Sequence, residues 1–296
     1  NNYKVVAITR NIHQKGYILK TQANPGYLEI VELPYFNIEK INSLLEECSI
    51  CINLIGILHE KRKNYFKNIH TIFPDILSKL SAEKNIEKLI HLSSLGIEKS
   101  IDSKYAISKL EGENKIKNNF DRAVVLKPSI VYSVDDNFTT NFMTLLNRLP
   151  IFPLYYSGRT KFMPIHSSDL VNVIFNVISQ NIYSQIIECV GPETITLKQI
   201  LEKLLFLIDK KRLLVTFPLP LAKLSAKFFQ LFPKPLLTED QLALLKYDNI
   251  KSGNYKTNFD IGCPAKCSFE KEVEKYCYMW REGGQFSINK NEKKSS

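Results

Sequence analysis

Tyr105 and Lys109 stand four residues apart in a stretch whose pattern predicts a helix, so phenol and ammonium share one face. A cation beside a phenol stabilises the phenolate and lowers its pKa toward working pH. That would suit moving a proton on or off a carbonyl or alcohol, and the ammonium could also hold a ribose hydroxyl. The spacing alone says little. With 14 tyrosines and 33 lysines in 296 residues it is expected once or twice by chance, and it occurs twice, the second time as Tyr247 with Lys251. Setting separates the two. Ser93-Ser94 closes an apolar run about ten residues before Tyr105. The carboxyl ends of parallel strands line the ligand crevice of an open sheet, and a serine hydroxyl there can donate to a developing oxyanion. Tyr247 has no such setting.

Other reactive side chains are scattered. The five histidines (13, 59, 70, 91 and 166) show no metal-ligand spacing, and there is no Gly-x-Ser-x-Gly elbow. His91 and His166 read as structural residues. Cys48 and Cys51 form a C-x-x-C with no second pair at zinc-finger spacing; they read as buried thiols, the alternative being a metal or redox site. No metal site is expected. Asp135-Asp136 reads as a solvated turn or helix cap.

These residues must be held by elements that the apolar pattern outlines. Strands are predicted at Tyr3–Ile8, Leu28–Glu32, Ile50–Leu58, Lys88–Ser94 and Ala123–Leu126. Helices are predicted at Ile38–Glu47, Tyr65–Lys84 with a kink at Pro74, and Lys104–Asn118. Strand and helix alternating at this spacing argue for βαβ units and a parallel sheet. Beyond about residue 135 the pattern loosens and proline is dense. Helices are predicted at 137–149, 168–179, 197–208, 220–232 and 238–245, with one short strand at 186–190. The expected organisation is therefore an α/β nucleotide-type domain over 1–135, a smaller C-terminal α+β domain over 136–286 partly interleaved with it, and a disordered polar tail over 287–296.

Composition narrows the class. An apolar share of 44% with 24% charged residues fits globular domains and excludes disorder or a collagen-like chain. No run of about 18 apolar residues escapes charge, so a membrane span is not expected. The net charge of +10 comes from lysines spread along the whole chain. A nucleic-acid binder would gather Arg and Lys on one element with stacking aromatics, so no nucleic acid is expected. A lysine-rich background accounts for the charge, or a basic face toward acidic lipid or an acidic partner does. The segment 220–232 carries Leu221, Leu224, Phe228 and Leu231 on one face with Lys223 and Lys227 elsewhere. Such a helix can lie on a membrane surface or cap a small domain.

Ser93-Ser94, then Tyr105-x-x-x-Lys109, then a strand running into Lys127-Pro128-Ser129-Ile130-Val131-Tyr132, resemble the short-chain dehydrogenase/reductase superfamily. Phe162 to Leu170 looks like a signature of its extended, NAD-dependent epimerase/dehydratase branch. More narrowly, Asn53-Leu54-Ile55-Gly56-Ile57-Leu58, His91-Leu92-Ser93, Val190-Gly191-Pro192-Glu193 and Trp280 to Phe286 resemble the NAD(P)H-binding accessory subunits of respiratory complex I and their bacterial relatives. The resemblance spans about residues 3–286. It implies a Rossmann-like doubly wound parallel sheet. It also exposes a departure: no strand followed by a Gly-x-x-Gly-x-x-Gly turn opens the chain, and the first strand here matches the family's second. The first βα unit is therefore missing. Either the sequence is truncated, as its Met-less start suggests, or it does not bind a dinucleotide in the usual way.

Carried over residue by residue, the resemblance makes Ser94, Tyr105 and Lys109 the catalytic set, with Ser93 lining the cofactor. Tyr105 and Lys109 also touch the cofactor. Asn53, Leu54, Ile55 and Gly56 would pass beneath the adenosine side, and Pro128 and Ser129 would lie beside the nicotinamide. Thr9-Arg10-Asn11 ends the strand where an NAD site usually places Asp or Glu. Arg10 instead suits a 2′-phosphate by charge and fork geometry, so NADP(H) is expected in preference to NAD(H), unless Arg10 is simply a solvated turn residue. Two functions stay open. One is an accessory subunit holding NADPH as a structural ligand beside complex I subunits and a membrane. The other is a working reductase or epimerase using Ser94, Tyr105 and Lys109. Without a visible signal peptide the location expected is cytoplasmic, peripheral at the inner membrane if a complex I partner, on the matrix side if eukaryotic.

Overall fold

A computed structural model describes residues 3–60, 65–222 and 237–286. The amphipathic helix expected at 220–232 falls almost wholly outside the described residues, as does the tail at 287–296. The chain forms two compact units, one up to Ser49 and one from Ile50 onward. The boundary read at 135/136 lies inside the second.

In the first unit, β1 (Val5–Thr9) pairs in parallel with β2 (Leu28–Glu32) across α1 (Ile12–Lys20), and α2 (Ile38–Leu45) follows. Asn37 caps α2 by accepting from the Lys40 N–H at 2.9 Å. The α1 helix has no counterpart in the apolar pattern: its Gly16 and mixed polar residues mask the periodicity.

The second unit is built on a five-stranded parallel sheet of order β13-β10-β5-β4-β3. Its strands are β3 (Ile50–Asn53), β4 (Lys88–Leu92), β5 (Ala123–Pro128), β10 (Gln185–Cys189) and β13 (Lys256–Thr257). Doubly wound sheets run 3-2-1-4-5-6. The central strands β4 and β5 are almost wholly buried, as near-continuous apolar strands of parallel sheets are. Strand β3 ends at Asn53 rather than Leu58, because the Asn53 side chain turns the chain by accepting from the Ile55 N–H at 3.1 Å.

One face of the sheet packs on a π-helical turn (Lys67–Ile72), α3 (Phe73–Glu83) and α4 (Lys104–Asn119). The kink expected at Pro74 appears as this π turn just before it. Pro74 has no N–H to give the His70 carbonyl four residues back. That carbonyl is where α4 passes closest: a Cβ built on Gly112 would lie 1.8 Å from it. The other face packs Ile90, Val124, Leu126 and Ile187 against Leu170, Val173 and Val177 of α6 (Ser167–Ser179). The buried Lys88 closes this layer. Its ammonium donates to the carbonyls of Val177 and Gln180 at 2.5 and 2.9 Å, at the negative end of α6.

The C-terminal part interleaves short strands with helices. These are β6 (Val131–Tyr132) with β9 (Ile165–His166), β7 (Ile151–Leu154) with β12 (Leu213–Thr216), and β8 (Lys161–Phe162) with β11 (Ile195–Thr196). Around them pack α5 (Thr139–Arg148), α7 (Leu197–Leu207), α8 (Glu239–Leu244) and α9 (Phe269–Cys277). A second core joins Met143, Leu146, Leu201, Leu204, Phe269 and Val273, each worth about 2 kcal/mol of transfer free energy. Asp136 caps α5 by accepting from the Phe138 and Thr139 N–H groups at 2.6 Å, the cap expected of the Asp135-Asp136 pair. Among the described residues no helix is long and apolar enough to cross a membrane.

Gly112→Ala is expected to force α4 from the π turn and destabilise the protein by about 2–4 kcal/mol. A urea midpoint unchanged from the parent protein would contradict the close approach.

Candidate functional site

Ser94, Tyr105 and Lys109 converge at the carboxyl end of β4. Two residues after that strand, the Ser94 side chain hydrogen-bonds Tyr105. One residue earlier, Ser93 turns the other way and donates to Glu113 Oε2 at 3.0 Å. Lys109 Nζ donates to the Leu92 carbonyl at 2.9 Å, which anchors α4 to the tip of β4. A Cβ on Gly56 would lie 3.4 Å from Lys109 Nζ, so this loop runs in contact with the ammonium. Leu54, Ile55 and Gly56 are exposed on this loop, while Asn53 is buried.

The start of α4 is fixed from far along the chain. Asp240, on α8, accepts from Ser103 Oγ at 2.9 Å, the Lys104 N–H at 2.6 Å and the Tyr105 N–H at 3.2 Å. Ser103 also accepts from the Ala106 N–H at 3.1 Å. Helix N-termini favour such caps and negative charge.

Two histidines line this cluster that the sequence did not point to as site residues. His70 Nε2 accepts from the Ile57 N–H at 3.1 Å, so its Nδ1–H donates to Ser108 Oγ at 2.9 Å. Burial and then the Lys109 charge lower its pKa to about 3, which keeps it neutral. Its ring meets Tyr105 edge-on with centroids 5.3 Å apart, and Phe66 meets Tyr105 at 6.0 Å. Below, Asn53 donates its amide to His91 Nδ1 at 3.1 Å. Burial first, then Lys109 and His70, hold His91 well below the ordinary histidine range. Its Nε2 is buried without a partner among the described residues.

The electrostatics differ from the expected phenol–ammonium coupling. Burial raises the Tyr105 pKa, against the Ser94 hydrogen bond, and the Asp240 carboxylate raises it further. Burial lowers Lys109 from 10.5 to about 8, opposed by Glu113 one turn on. The low-dielectric surroundings thus outweigh the mutual effect of the pair. Glu113 continues into a buried ion network. Lys127, fully buried on β5, pairs with Glu113 at 3.3 Å and with Glu98, and lies 5.4 Å from the Tyr255 ring centroid. Burial raises Glu113, opposed by Lys127 and Ser93.

The remaining predicted residues are placed as follows. Pro128 ends β5, and Ser129 donates to Asn249 Oδ1 at 2.6 Å. Thr9, Arg10 and Asn11 belong to the first unit. Thr9 ends β1, its Oγ1 accepting from the Asn11 N–H at 3.4 Å, and Arg10 is exposed in the turn. Tyr247 and Lys251 lie outside any helix, so that second pair has no common face. Cys48 and Cys51 are half-buried rather than buried. Glu113 was reachable from sequence as the residue one turn beyond Lys109. Asp240 was not, because 135 residues separate it from Tyr105.

The unpartnered buried nitrogen on His91 and the absence of a side chain at Gly56 beside Lys109 are compatible with a nicotinamide dinucleotide at these strand ends. No protein-family model matches the chain. Solved structures share the fold along almost its whole length. A UDP-glucuronic acid 4-epimerase from Bacillus cereus, in complex with NAD, matches at TM-score 0.66 and 16% identity, covering 93% of this chain and 91% of that one. A dTDP-glucose 4,6-dehydratase from Streptomyces venezuelae, with NAD bound, matches at TM-score 0.69 and 14% identity, covering 95% and 88%. The chain thus shares the fold of these NAD-bound epimerases and dehydratases.

Its sequence resembles a subunit of respiratory complex I. It is 24% identical over 249 residues to the mouse (Mus musculus) mitochondrial NADH dehydrogenase [ubiquinone] 1 alpha subcomplex subunit 9. It is 21% identical over 260 residues to the mitochondrial 40 kDa subunit of NADH-ubiquinone oxidoreductase from Neurospora crassa. These alignments take in 82% and 87% of this chain, which spans 65% of the mouse subunit's length and 68% of the fungal one's.

Lys109 sheds its proton near pH 8 in the fold and near 10.5 unfolded. Between those values the unfolded chain binds the extra proton, so this group's contribution to stability rises with pH, by up to about 1.4 kcal/mol per unit. Unfolding free energies of the parent minus Lys109→Met should therefore climb across that window. A flat or falling difference would refute the buried ammonium.

Proposed function

We propose that this protein binds a nicotinamide dinucleotide across the carboxyl ends of β3 and β4, holds it as a structural ligand, and serves as an accessory subunit of a complex I-type assembly. The observation that carries this reading is the meeting of Ser94, Tyr105 and Lys109 at the strand tips with the phenol shut between Phe66 and His70. In the fold class, ligands lie at that end of the sheet. The NAD named with the epimerase and dehydratase, and the complex I names of the sequence relatives, support the ligand and the partner.

Each residue has a part to play. Lys109, steadied by the Leu92 carbonyl, offers its remaining N–H groups to ribose hydroxyls. Tyr105 supplies a hydroxyl oriented by Ser94. Asn53 and Gly56 let the backbone after β3 run close to the ligand, with Leu54 and Ile55 giving it an apolar floor. Pro128 and Ser129 flank the nicotinamide side. Arg10 suits a 2′-phosphate by charge and fork geometry, which favours NADP(H) over NAD(H). The bound cofactor supplies a hydride at its nicotinamide ring. A phenol whose proton is held more tightly than usual is better suited to anchoring a sugar than to shuttling protons at neutral pH. The assembly lies at a membrane face, matrix or cytoplasmic.

A second reading keeps the chain a working reductase or epimerase. The complete Ser94-Tyr105-Lys109 set favours it: hydride would pass at the nicotinamide while Tyr105 moves the proton.

Binding of NADPH by the full-length protein, followed by cofactor fluorescence, separates the readings. Expected are retained binding, about tenfold weaker in Lys109→Met, a loss of NADPH over NADH preference in Arg10→Ala, and no turnover with sugar-nucleotide or quinone-like carbonyls. Turnover that disappears in Tyr105→Phe would establish the enzyme instead. Absence of NADPH binding would overturn both.

A further inference from the structure

We propose that His166, Cys267 and Glu272 form a binding site for one divalent metal ion of zinc-like chemistry, separate from the strand-tip cluster. One ligand atom from each, an imidazole nitrogen, a thiol sulfur and a carboxylate oxygen, lies within 4.8 Å of the others. Bonds to zinc of about 2.0–2.3 Å bring such donors together with small side-chain movements. The set is chemically selective. Magnesium and calcium take oxygen ligands, whereas sulfur with imidazole selects zinc and its neighbours. Three protein ligands leave the fourth tetrahedral position to water.

Their positions are built rather than incidental. His166 ends β9 and caps α6; Cys267 immediately precedes Ser268, the N-cap of α9; Glu272 lies in the first turn of α9. All three are half-buried. Asp169, buried on α6, accepts from the Lys266 and Cys267 N–H groups at 3.1 and 2.9 Å, and Tyr132 Oη donates to the Cys267 carbonyl at 3.3 Å. The loop bearing the thiol is thus pinned from two sides. His166 is packed edge-on against Tyr132 with centroids 5.2 Å apart, and its Nδ1 lies 2.7 Å from Ser168 Oγ. That Nδ1 also accepts from the Ser168 N–H at 3.3 Å; ligation through Nε2 uses the tautomer whose Nδ1–H donates to the Ser168 hydroxyl, exchanging that cap bond for the second-shell arrangement that orients ligand histidines. Glu272 Oε2 accepts from the Lys275 ammonium at 2.6 Å, which holds the carboxylate in place.

Charge agrees with geometry. On binding, the Cys267 thiol releases its proton to solvent and a sulfur–metal bond forms. Thiolate and Glu272 carboxylate then match the two positive charges, with Asp169 close by. A nucleophilic cysteine would want the opposite, an electropositive setting. The ion would tie α9 to the β9–α6 junction, elements that meet only after about a hundred residues of intervening chain. That separation is why the residues carried no spacing signal.

The test uses the full-length chain stripped by chelator and titrated with Co²⁺. One Co²⁺ per chain with a sulfur-to-cobalt charge-transfer band is expected, displaced by Zn²⁺. The band should vanish in Cys267→Ser, persist in Cys263→Ser, and affinity should fall by about 100-fold in His166→Ala and in Glu272→Gln, with circular dichroism unchanged. A band surviving in Cys267→Ser, or no stoichiometric cobalt in the folded parent protein, would overturn the site. The result is independent of dinucleotide binding.

Discussion

Ammonium groups buried at the ends of a parallel sheet need acceptors, because an uncompensated charge in the interior costs several kcal/mol. Lys109 and Lys127 impose that constraint here, and most of the site answers it. Lys109 takes the Leu92 carbonyl. Lys127 takes Glu98 and Glu113. Glu113, one turn beyond Lys109 on the same helix, acts on both and is steadied by Ser93. The two adjacent serines divide the work in consequence: Ser93 satisfies the carboxylate, and Ser94 is left for Tyr105.

The same burial sets the protonation states. A positive neighbour and a dry environment both disfavour imidazolium, so His70 and His91 stay neutral, and each uses its lone pair to accept, from Ile57 N–H and from Asn53. The phenol moves up and the ammonium down. A site tuned this way keeps its hydrogen-bond donors while resisting ionisation of its phenol. That balance of forces, more than the identity of any one side chain, distinguishes an anchor from a proton shuttle.

Much of the sheet was legible because parallel strands buried on both faces leave continuous apolar runs, as at Leu89-Ile90 and Val124-Val125-Leu126. The helix carrying Tyr105 and Lys109 was legible because Ser103 caps it and its apolar positions recur. The strand after Ile50 was read too long: the run Leu54-Ile55 looks like strand, but Asn53 bends the chain and those side chains face outward. Helix α9 escaped notice because its charged residues outnumber its apolar ones, although Phe269, Val273 and Tyr276 form a buried stripe. The sign of the Tyr105 shift could not be read from a Tyr-x-x-x-Lys spacing, since it depends on Phe66, His70 and Asp240, which other elements bring in. Cys267 and His166 meet only through tertiary structure.

The Asp240 cap has a temporal consequence. The first turn of the site-bearing helix is completed by a carboxylate 136 residues downstream of Lys104. A ribosome adding about 5–20 residues per second needs roughly 7–27 s to supply it. Until then the nascent N-terminal half can assemble its sheet while the amides at Lys104 and Tyr105 lack their acceptor. Such a long-range closure slows the final step of folding and makes the finished first turn of α4 a property of the whole polypeptide rather than of the segment that carries Tyr105 and Lys109.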